Sequence, residues 1–501
     1  MGKKTVSAAK RDRKGKKLSS HDKITVLTPE DSENEHENGM HDEGEGGVDE
    51  PKIWLPGMEL GKDEVLEPDM SVYVMLQEMQ MEWPCLSFDT LHDGSGATEK
   101  LDFPLEASLV AGTQADRPEK NKLFLMRWSN LRKNQSRDYE NEDAESSDDE
   151  EGDETNGGNG EGSTKNWMPR CHVRTVSHAE GAGINRIRAL QSADASKLVV
   201  ATWSERGKVF LWDMSQVNTD LNTQVQQEKE QQKKKTDDAG VIKMKPLFEV
   251  DGHREEGYAI DWSKREWGNL LSGDCAGAIY WTQLNGQDGS ATCVNGQAFT
   301  GHAGSVEDLQ WSPSESTVFA SSSIDQTVRI WDIRCDPRRP VLSAHCHESD
   351  VNVISWNKNV SYLLASGADD GSFKTWDLRN FSDMKSSAGG FESTLSTPVA
   401  TFKWHIAPVT AIEWHPSESS VLAVSGADDQ ISLWDFAVER DQEQSGETPL
   451  LAPNGMPIPP HLLFVHQGQK EVKEIHWHPQ SPGVVMSTAA SGFNIFKTIS
   501  I

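Results

Sequence analysis

The stretch that decides the fold is SSSIDQTVRIWDIR, residues 321–334. Its order of Ser, Asp, a short apolar run and Trp-Asp returns as SGADDGSFKTWDLR at 366–379 and as SGADDQISLWDF at 425–436. In each copy a His lies 29 residues before the Trp. Short apolar runs between Gly, Ser and Asp are typical of β-strands. Recurrence of such a unit at a fixed internal spacing is typical of a repeat architecture.

Seven apolar strand endings of this kind occur along the chain. They lie at 123–129, 208–214, 278–283, 328–333, 373–378, 431–436 and 494–499. A four-stranded unit cannot bury both of its faces alone, so we expect a closed ring of seven blades, an all-β propeller, over residues 83–501. Closing the ring requires a strand from the start of the domain. CLSFDTL at 85–91 is the candidate, paired with 493–499.

A His, Ser, Asp and Trp in each of three blades resemble the structural tetrad of Trp-Asp (WD) repeat proteins, in which the four side chains satisfy one another's hydrogen bonds. The resemblance assigns His302, Ser321, Asp325 and Trp331 to blade 4, His347 (or His345), Ser366, Asp370 and Trp376 to blade 5, and His405, Ser425, Asp428 (or Asp429) and Trp434 to blade 6. A catalytic triad would need one copy of Ser, His and Asp. Because the set recurs, we predict a seven-bladed WD-repeat β-propeller without catalytic residues.

The chain before the propeller divides into two parts. Residues 1–52 begin with the basic run GKKTVSAAKRDRKGKK and become acidic, and their low apolar content predicts disorder. The basic run also fits a nuclear or nucleolar address. In the segment 53–82, four apolar side chains recur at three-residue steps, which predicts an N-terminal helix with one apolar face. These side chains are Met70, Tyr73, Leu76 and Met79.

Four insertions interrupt the repeat, at 132–166, 215–245, 380–396 and 437–458. Each follows a strand ending and precedes the next outer strand, so we expect all four on one side of the disc. Within the first, DYENEDAESSDDEEGDE at 138–154 has eleven carboxylates in seventeen residues. It is either a solvated tether or a polyanion that holds a basic partner. Candidate contacts are Glu145, Asp148, Asp149, Glu150 and Glu151, and candidate phosphorylation sites are Ser146 and Ser147.

Composition narrows the partners. The net charge of −30 disfavours direct binding of nucleic acid and favours basic proteins such as histones or ribosomal proteins. The sequence shows neither a signal-type segment nor a long apolar run, so we expect no association with a membrane. The six cysteines are scattered, and no two of them form a CxxC motif. AHCHE at 344–348 with Cys335 could suggest zinc, but no fourth ligand has a suitable spacing. We therefore expect no metal, cofactor or small-molecule ligand.

Two motifs are more specific than the repeats: EWPCLSFDTL at 82–91 and PPHLLFVHQGQKEVKEIHWHP at 459–479. They resemble the histone-binding WD proteins related to the retinoblastoma-binding histone chaperones. The acidic insertion is most similar to the glutamate-rich WD-repeat branch, whose members are nuclear and nucleolar ribosome-assembly factors. The resemblance implies a client groove between the N-terminal helix and the segment before PPHLLF. Its residues would be Tyr73, Leu76, Met79, Asp441, Glu443, Pro459, Pro460, Leu462 and Phe464. Relatives carry acids directly before Pro-Pro, whereas here they lie at 439–447.

Three functions remain open from the sequence. The first, which we favour, is a non-enzymatic chaperone-scaffold in the nucleus and nucleolus that binds a basic large-subunit ribosomal protein, histones or both during ribosome biogenesis. The second is a dedicated histone chaperone in chromatin assembly. The third is a substrate receptor of a cullin-type ubiquitin ligase, because WDIR and WDLR place Arg334 and Arg379 as in the motif that docks on the ligase adaptor. An exposed Arg at a strand end is equally expected by chance.

Overall fold

The computed structural model describes residues 25–27, 68–96, 99–100, 102–134, 168–230, 240–285, 291–293, 297–381, 396–438 and 457–501. Two strands precede the propeller repeats, β1 (Thr25–Leu27) and β2 (Tyr73–Gln80). Blade 1 consists of β3 (Cys85–Leu91), β4 (Leu105–Thr113), β5 (Lys122–Leu131) and β6 (Arg170–Ser177). Blade 2 consists of β7 (Ile184–Gln191), β8 (Leu198–Ser204), β9 (Lys208–Asp213) and β10 (Phe248–Val250).

The middle blades repeat this order. Blade 3 has β11 (Ala259–Trp262), β12 (Asn269–Gly273), β13 (Ala278–Leu284), β14 (Ala291–Cys293) and β15 (Phe299–Thr300). Blade 4 has β16 (Val306–Trp311), β17 (Val318–Ser323), β18 (Thr327–Asp332) and β19 (Leu342–His345). Blade 5 has β20 (Val351–Trp356), β21 (Leu363–Ala368), β22 (Ser372–Asp377) and β23 (Ala400–Lys403).

Blade 6 has β24 (Val409–Trp414), β25 (Val421–Gly426), β26 (Gln430–Asp435) and β27 (Leu462–His466). Blade 7 has β28 (Glu474–Trp477), β29 (Val484–Ala489) and β30 (Gly492–Thr498), with β2 as its outer strand. The predicted seven-bladed propeller is confirmed, and the seven strand endings are the third strands of its blades. Short 3-10 helices span Met70–Val72, Pro118–Lys120, Ala179–Gly181 and Leu378–Asn380.

The predicted N-terminal helix is wrong, because residues 73–80 form strand β2. Leu76 is opposite Phe496 and Met79 is opposite Phe493 on β30. Apolar residues on both faces of β2 are buried, and such a run can match helical spacing by chance. A short run of this kind therefore does not distinguish a helix from a fully buried strand.

The predicted closing strand is also wrong. Residues 85–91 form β3, the first strand of blade 1, while β2 pairs antiparallel with β30 and closes the ring. The chain segment just before the predicted strand therefore joins the two ends of the propeller. β1 adds a short fifth strand to blade 7, pairing with Glu78–Gln80, although residues 1–52 were expected to be disordered. The rest of that segment lies outside the described residues.

The core lies between the blades, where large aromatic side chains from one sheet pack on the next. In one such layer Trp331 and Phe319 of blade 4 pack with Ala259 and Ile279 of blade 3. Eight tryptophans are among the largest fully buried side chains: Trp128, Trp203, Trp212, Trp262, Trp331, Trp376, Trp414 and Trp434. Burial of such rings dominates the apolar stabilisation of a sheet interface.

The first strands surround the central channel and are tied to one another by side chains that accept backbone N–H groups from the next blade. Asp89 accepts the Ala189 N–H (2.7 Å), Asp261 the Trp311 N–H (2.7 Å) and Asp308 the Ile354 N–H (3.0 Å). Glu413 accepts the Trp477 N–H (3.0 Å), and Glu474 accepts the Phe88 N–H (2.8 Å). Each contact satisfies a backbone donor that a lone sheet edge would leave open.

The four insertions all connect the third and fourth strands of a blade, in blades 1, 2, 5 and 6. The second forms a helix, α1 (Ser215–Glu230), the only α-helix among the described residues. Its apolar face, with Val217, Leu221 and Val225, is buried. Asn222 Oδ1 accepts a hydrogen bond from Arg127 of β5 at 2.5 Å, so the insertion of blade 2 packs back on blade 1.

Candidate functional site

The structure brings together the four tetrad side chains assigned to blade 4. The Trp331 indole N–H donates to Ser321 Oγ at 2.8 Å, and Ser321 Oγ lies 2.6 Å from His302 Nε2. His302 Nδ1 lies 2.9 Å from Asp325 Oδ2. Burial raises the pKa of the Asp325 carboxyl, but hydrogen bonds, first of all from His302, outweigh it and hold that pKa below its usual value. The set is a buried structural chain, and no substrate-accessible nucleophile is needed to explain it.

In blade 5 the chain of hydrogen bonds is longer than assigned. His347 Nε2 lies 2.7 Å from Ser366 Oγ, which also accepts the Trp376 indole N–H at 2.8 Å. Asp370 does not reach the imidazole directly. Ser372 Oγ stands between them, 3.3 Å from His347 Nδ1 and 2.6 Å from Asp370 Oδ1. The alternative residue, His345, is instead hydrogen-bonded to Gln326 at 3.0 Å.

In blade 6 the assignment of Ser425 is wrong. Ser432 Oγ accepts the Trp434 indole N–H at 2.8 Å and lies 2.9 Å from His405 Nε2. His405 Nδ1 lies 2.9 Å from Asp428 Oδ1. Ser425 Oγ is hydrogen-bonded to Thr410 Oγ1 at 2.9 Å. The hydroxyl therefore comes from β26, two residues before the Trp, and the spacing seen in blades 4 and 5 could not reveal this.

Partial versions of the tetrad occur in blades where the sequence led to no assignment. In blade 3, His253 lies 2.7 Å from Ser272 Oγ and 2.8 Å from Asp274 Oδ2. The signal was present as SGDCAGAIYW, residues 272–281, which lacks only the final Asp. In blade 2, Thr202 takes the place of Ser between His178 (3.1 Å) and Trp212 (3.0 Å).

In blade 7 the His at the tetrad position, His466, contacts both the closing strand β2 and the third strand β30. His466 Nδ1 lies 2.8 Å from the Tyr73 hydroxyl, and its ring stacks on Phe496 with centroids 4.1 Å apart. Burial lowers the pKa of His466 to about 3. Tyr73 is itself buried, at 7% exposure, so it fixes the closing strand and leaves little surface for a partner.

The predicted groove residues divide between two faces of β2. Tyr73 and Leu76 pack in one cluster with Phe464, whose ring meets that of Tyr73 edge-on at 5.3 Å. Met79 belongs to a different cluster, on blade 1, so the shared face that the helix prediction required does not exist. Leu462 packs in a third cluster with Trp434.

Four half-buried apolar side chains pack on the cluster that contains Tyr73, and the exposed Ile499 adjoins them; we call these five residues the edge patch. The four half-buried ones are Met70, Val72, Phe464 and Ile501. Ile499 is 64% exposed and its backbone N–H donates to the Val72 carbonyl at 3.2 Å. The patch lies on the outer rim where blades 6 and 7 meet. Pro459 and Pro460 precede β27, the strand that carries Phe464. The Leu462 N–H donates to the Pro459 carbonyl at 3.1 Å.

The acidic insertion begins beside the same rim. Asn134, the last described residue before the acidic run 138–154, forms hydrogen bonds to Tyr73, Val74 and Leu76 of β2. The insertion at 437–458 returns to the fold at Pro457, just before β27. The predicted partner residues Glu145, Asp148, Asp149, Glu150, Glu151, Asp441 and Glu443, and the candidate phosphorylation sites Ser146 and Ser147, lie outside the described residues.

The two arginines of the WDIR and WDLR motifs are exposed, and each pairs with the Asp two residues before it. Arg334 Nη2 lies 2.5 Å from Asp332 Oδ2 and Arg379 Nη2 lies 2.7 Å from Asp377 Oδ2. The Arg379 guanidinium also lies 3.6 Å from the Tyr362 ring centroid. Both side chains extend from the third strands of adjacent blades, on the side from which the insertions depart.

Charge is concentrated in the channel at the seam between blades 7, 1 and 2. Glu474 is buried and binds Arg186 at 2.7 Å and Arg188 at 2.8 Å. Burial raises the pKa of Glu474, but the two guanidinium groups outweigh it and hold that pKa well below its usual value. Burial lowers the pKa of His476, whereas hydrogen bonds and charge from Glu413 and Glu474 raise it to about 9. These groups neutralise one another within the ring.

Metal ligands and membrane-spanning helices can be assessed only within the described part of the chain. No group of three or more His, Cys, Asp or Glu side chains there could hold a metal ion. None of the described helices has the length and apolarity that crossing a membrane requires.

Comparison with known proteins places the chain in a family. Residues 63–132 match the family described as that of the histone-binding protein RBBP4, and 292–332, 338–377 and 396–435 match "WD domain, G-beta repeat". The chain is 42% identical to "Ribosome assembly protein rrb1" of Schizosaccharomyces pombe, over 94% of this chain and 89% of that protein.

Two other relatives extend the comparison. "Protein HEAT STRESS TOLERANT DWD 1" of Arabidopsis thaliana is 40% identical, over 90% of this chain and 92% of that protein. "Glutamate-rich WD repeat-containing protein 1" of Dictyostelium discoideum is 41% identical, over 89% of this chain and 85% of that protein. The resemblance predicted from the sequence is confirmed. The chain belongs to the family of WD-repeat proteins that includes the ribosome assembly protein rrb1 and the glutamate-rich WD repeat-containing proteins.

Proposed function

We propose that this protein is a non-catalytic scaffold of ribosome assembly that escorts a basic protein, such as a large-subunit ribosomal protein or a histone, in the nucleus and nucleolus. The observation that carries the proposal is the meeting of two features at the rim of blade 7. The edge patch offers apolar contacts, and the insertion with eleven carboxylates in seventeen residues begins at Asn134 beside it.

The chemistry of the two parts is complementary. An amphipathic basic segment of a client can place its apolar side chains on the edge patch, as in helix-in-groove recognition. Its Lys and Arg side chains can then meet the carboxylates of 138–154, whose long-range attraction is screened over about 8 Å at physiological ionic strength. The names of relatives support the two client classes: one is a ribosome assembly protein and one matched family is histone-binding.

The test compares two lesions with a matched control. Deletion of 138–154 removes the polyanion, deletion of 382–395 removes another polar insertion of similar length, and Ile499→Asp places a charge on the edge patch. Ile499 is 64% exposed, so this change spares the core, whereas Leu76→Asp would bury a carboxylate. We expect deletion of 138–154 to abolish solubilisation of a basic ribosomal protein at moderate salt, and deletion of 382–395 to have little effect.

The two client classes separate in the same experiment. A dedicated histone chaperone that uses the groove would lose histone H3–H4 with Ile499→Asp and would tolerate deletion of 138–154. The proposed escort, which uses both the polyanion and the edge patch, would be weakened by either change. Full retention of both clients by both variants would overturn the proposed function.

A second candidate function, a substrate receptor of a cullin-type ligase, is favoured by one observation. Arg334 and Arg379 are 67% and 63% exposed and lie on adjacent blades. Their pairing with Asp332 and Asp377 also satisfies them without a partner. If this function operates, Arg334→Ala with Arg379→Ala removes binding of the ligase adaptor and preserves binding of the client. Equal adaptor binding by the wild type and the double variant excludes the candidate.

A further inference from the structure

The arginines of the WDIR and WDLR motifs occupy equivalent places in blades 4 and 5, but their neighbours differ. In blade 4 the Ile333 N–H donates to the Thr317 carbonyl at 2.9 Å, and in blade 5 the Leu378 N–H donates to the Tyr362 carbonyl at 2.8 Å. Thr317 and Tyr362 therefore stand at corresponding positions, each beside the Asp–Arg pair of its own blade. The blade 5 pair has an aromatic neighbour where the blade 4 pair has a threonine.

This neighbour orders the Arg379 side chain. Arg379 Nε and Nη2 donate to the Asp377 carboxylate at 2.9 Å and 2.7 Å, and the guanidinium carbon lies 3.6 Å from the Tyr362 ring centroid. Arg334 makes a similar pair with Asp332, but within the described part of the chain no aromatic ring lies over its guanidinium. A planar guanidinium stacks favourably on an aromatic face. Arg379 is therefore the more restrained of the two arginines.

The backbone that carries Arg379 is anchored as well. The short 3-10 helix Leu378–Asn380 is capped by Asp377, whose carboxylate accepts the Arg379 N–H at 3.0 Å. The next residue, Phe381, is buried in the core between blades 4 and 5. In blade 4 the two residues that follow the motif, 335–336, are both exposed. The chain beyond Arg379 is thus held by a buried ring, which the chain beyond WDIR lacks.

The same edge of blade 5 exposes apolar surface on both sides of Arg379. Tyr362 precedes the second strand, Arg379 follows the third and Val399 precedes the fourth. Tyr362 is 39% exposed and Val399 is 62% exposed. We call Tyr362, Arg379 and Val399 the blade 5 patch. Because Tyr and Arg are over-represented among the residues that dominate binding at interfaces, the patch has the composition of a docking contact.

We infer that the blade 5 patch is the main docking contact for the ligase adaptor, that Tyr362 positions Arg379 within it, and that Arg334 contributes little. The inference rests on the second candidate function. Arg379 is 63% exposed whereas Asp377 is 12% exposed, so the patch presents a cation. A cation disfavours a basic client and suits a partner with carboxylate or carbonyl acceptors. An ordered Arg loses less rotamer freedom on binding than a free one, so Tyr362 lowers the cost of docking.

The test uses single variants of the full chain and the purified ligase adaptor as the probe. Arg379→Ala is compared with its matched control, Arg334→Ala. Tyr362→Leu removes the ring, and Tyr362→Phe keeps it. Titration calorimetry measures the affinity of each variant for the adaptor. Thermal unfolding and binding of a basic ribosomal protein check that the fold and the client site are unchanged, which a structural effect of Tyr362 would not leave intact.

We expect Arg379→Ala to weaken adaptor binding at least about tenfold and Tyr362→Leu to weaken it about two- to fivefold. Arg334→Ala and Tyr362→Phe should each change it less than about twofold. If the wild type binds the adaptor and Arg334→Ala costs as much as Arg379→Ala, or Tyr362→Phe costs as much as Tyr362→Leu, the inference is overturned while the candidate function stands. If the wild type does not bind the adaptor, the candidate function and this inference both fail.

Discussion

The hydroxyl that joins Trp434 to His405 comes from Ser432, while blades 4 and 5 use a Ser one strand earlier, at Ser321 and Ser366. The hydrogen-bond chain is therefore kept while the position of its Ser moves. Sequence spacing correctly grouped His302 with its three partners because those residues follow the repeat. It failed for Ser425, which lies nine residues before its Trp, whereas Ser321 and Ser366 lie ten residues before theirs. The residue at the expected spacing is Val424, and Ser432, opposite it on β26, supplies the hydroxyl instead.

This difference gives a prediction with an internal control. Ser432→Ala should cost about 1–3 kcal/mol of unfolding free energy, because it leaves the buried Trp434 N–H and His405 Nε2 without their partner. Ser425→Ala is the matched change, since both serines are fully buried. Thermal and urea unfolding should show the larger loss for Ser432→Ala. An equal or larger loss for Ser425→Ala would contradict the revised tetrad.

Buried neutral histidines make stability depend on pH. Burial lowers the pKa of His347 and His466 to about 3, and that of His415 and His478 to about 4. The unfolded chain binds these protons near pH 6.5, so stability is lost as the pH falls from about 6.5 towards 4. Each group can contribute up to about 1.4 kcal/mol per pH unit.

The melting temperature should therefore fall steadily from pH 6.5 to pH 4.5. His476, whose pKa is raised to about 9, acts in the opposite direction only above pH 6.5, because below that pH it is protonated in both states. Calorimetric scans at fixed ionic strength measure the trend. A melting temperature that stays constant between pH 6.5 and 4.5 would be inconsistent with neutral buried imidazoles.

At the scale of elements, β2 explains most of what the sequence could not predict. Its pairing with β30 joins residues about four hundred positions apart, and no local pattern encodes such a contact. Apolar residues face both sides of β2, which removed the alternation that marks a half-buried strand. In contrast, the third strands of blades 4, 5 and 6 were placed correctly because each carries its own turn residues and Trp.

β2 joins the two ends of the propeller at its outer rim. Near the channel, Glu474 links blade 7 to blades 1 and 2. One carboxylate oxygen binds Arg186 and Arg188, and the other accepts from Ser87 Oγ at 2.7 Å and from Phe88 N–H at 2.8 Å. Glu474 on β28 therefore gathers four donors from blades 1 and 2. Because Glu474 is buried and the two guanidinium groups are largely covered, loss of one partner leaves poorly solvated, uncompensated charge.

Glu474→Gln should lower the unfolding free energy by up to about 3–5 kcal/mol, because it leaves two guanidinium groups that are only 14% and 16% exposed without their carboxylate. Hydrogen exchange should accelerate in β3 and β7 before it does so in blades 4 and 5. The matched control is Glu471→Gln, whose side chain is 69% exposed and pairs only with Lys473. Unchanged protection of β3 and β7 in Glu474→Gln would show that the seam does not depend on this carboxylate.

At the scale of the whole molecule, the repeat sequence was sufficient to predict seven blades. The basic partners inferred from the acidic composition stay a prediction. The repeat sequence was not sufficient to locate the site. Asn134, four residues before the acidic run, contacts β2, and neither the repeat nor the charge pattern relates these two segments. The helix groove implied by the family resemblance is absent, because residues 73–80 form β2.

The most direct measurement is zero-length crosslinking, by carbodiimide, of the native complex of the full chain with a basic client, followed by mass spectrometry. This chemistry joins client lysines to carboxylates in contact with them. We predict that client lysines are joined to 138–154 and to Asp69 beside the edge patch, and that these links disappear together in high salt. Links confined to carboxylates of other blades, with none to 138–154, would contradict the account.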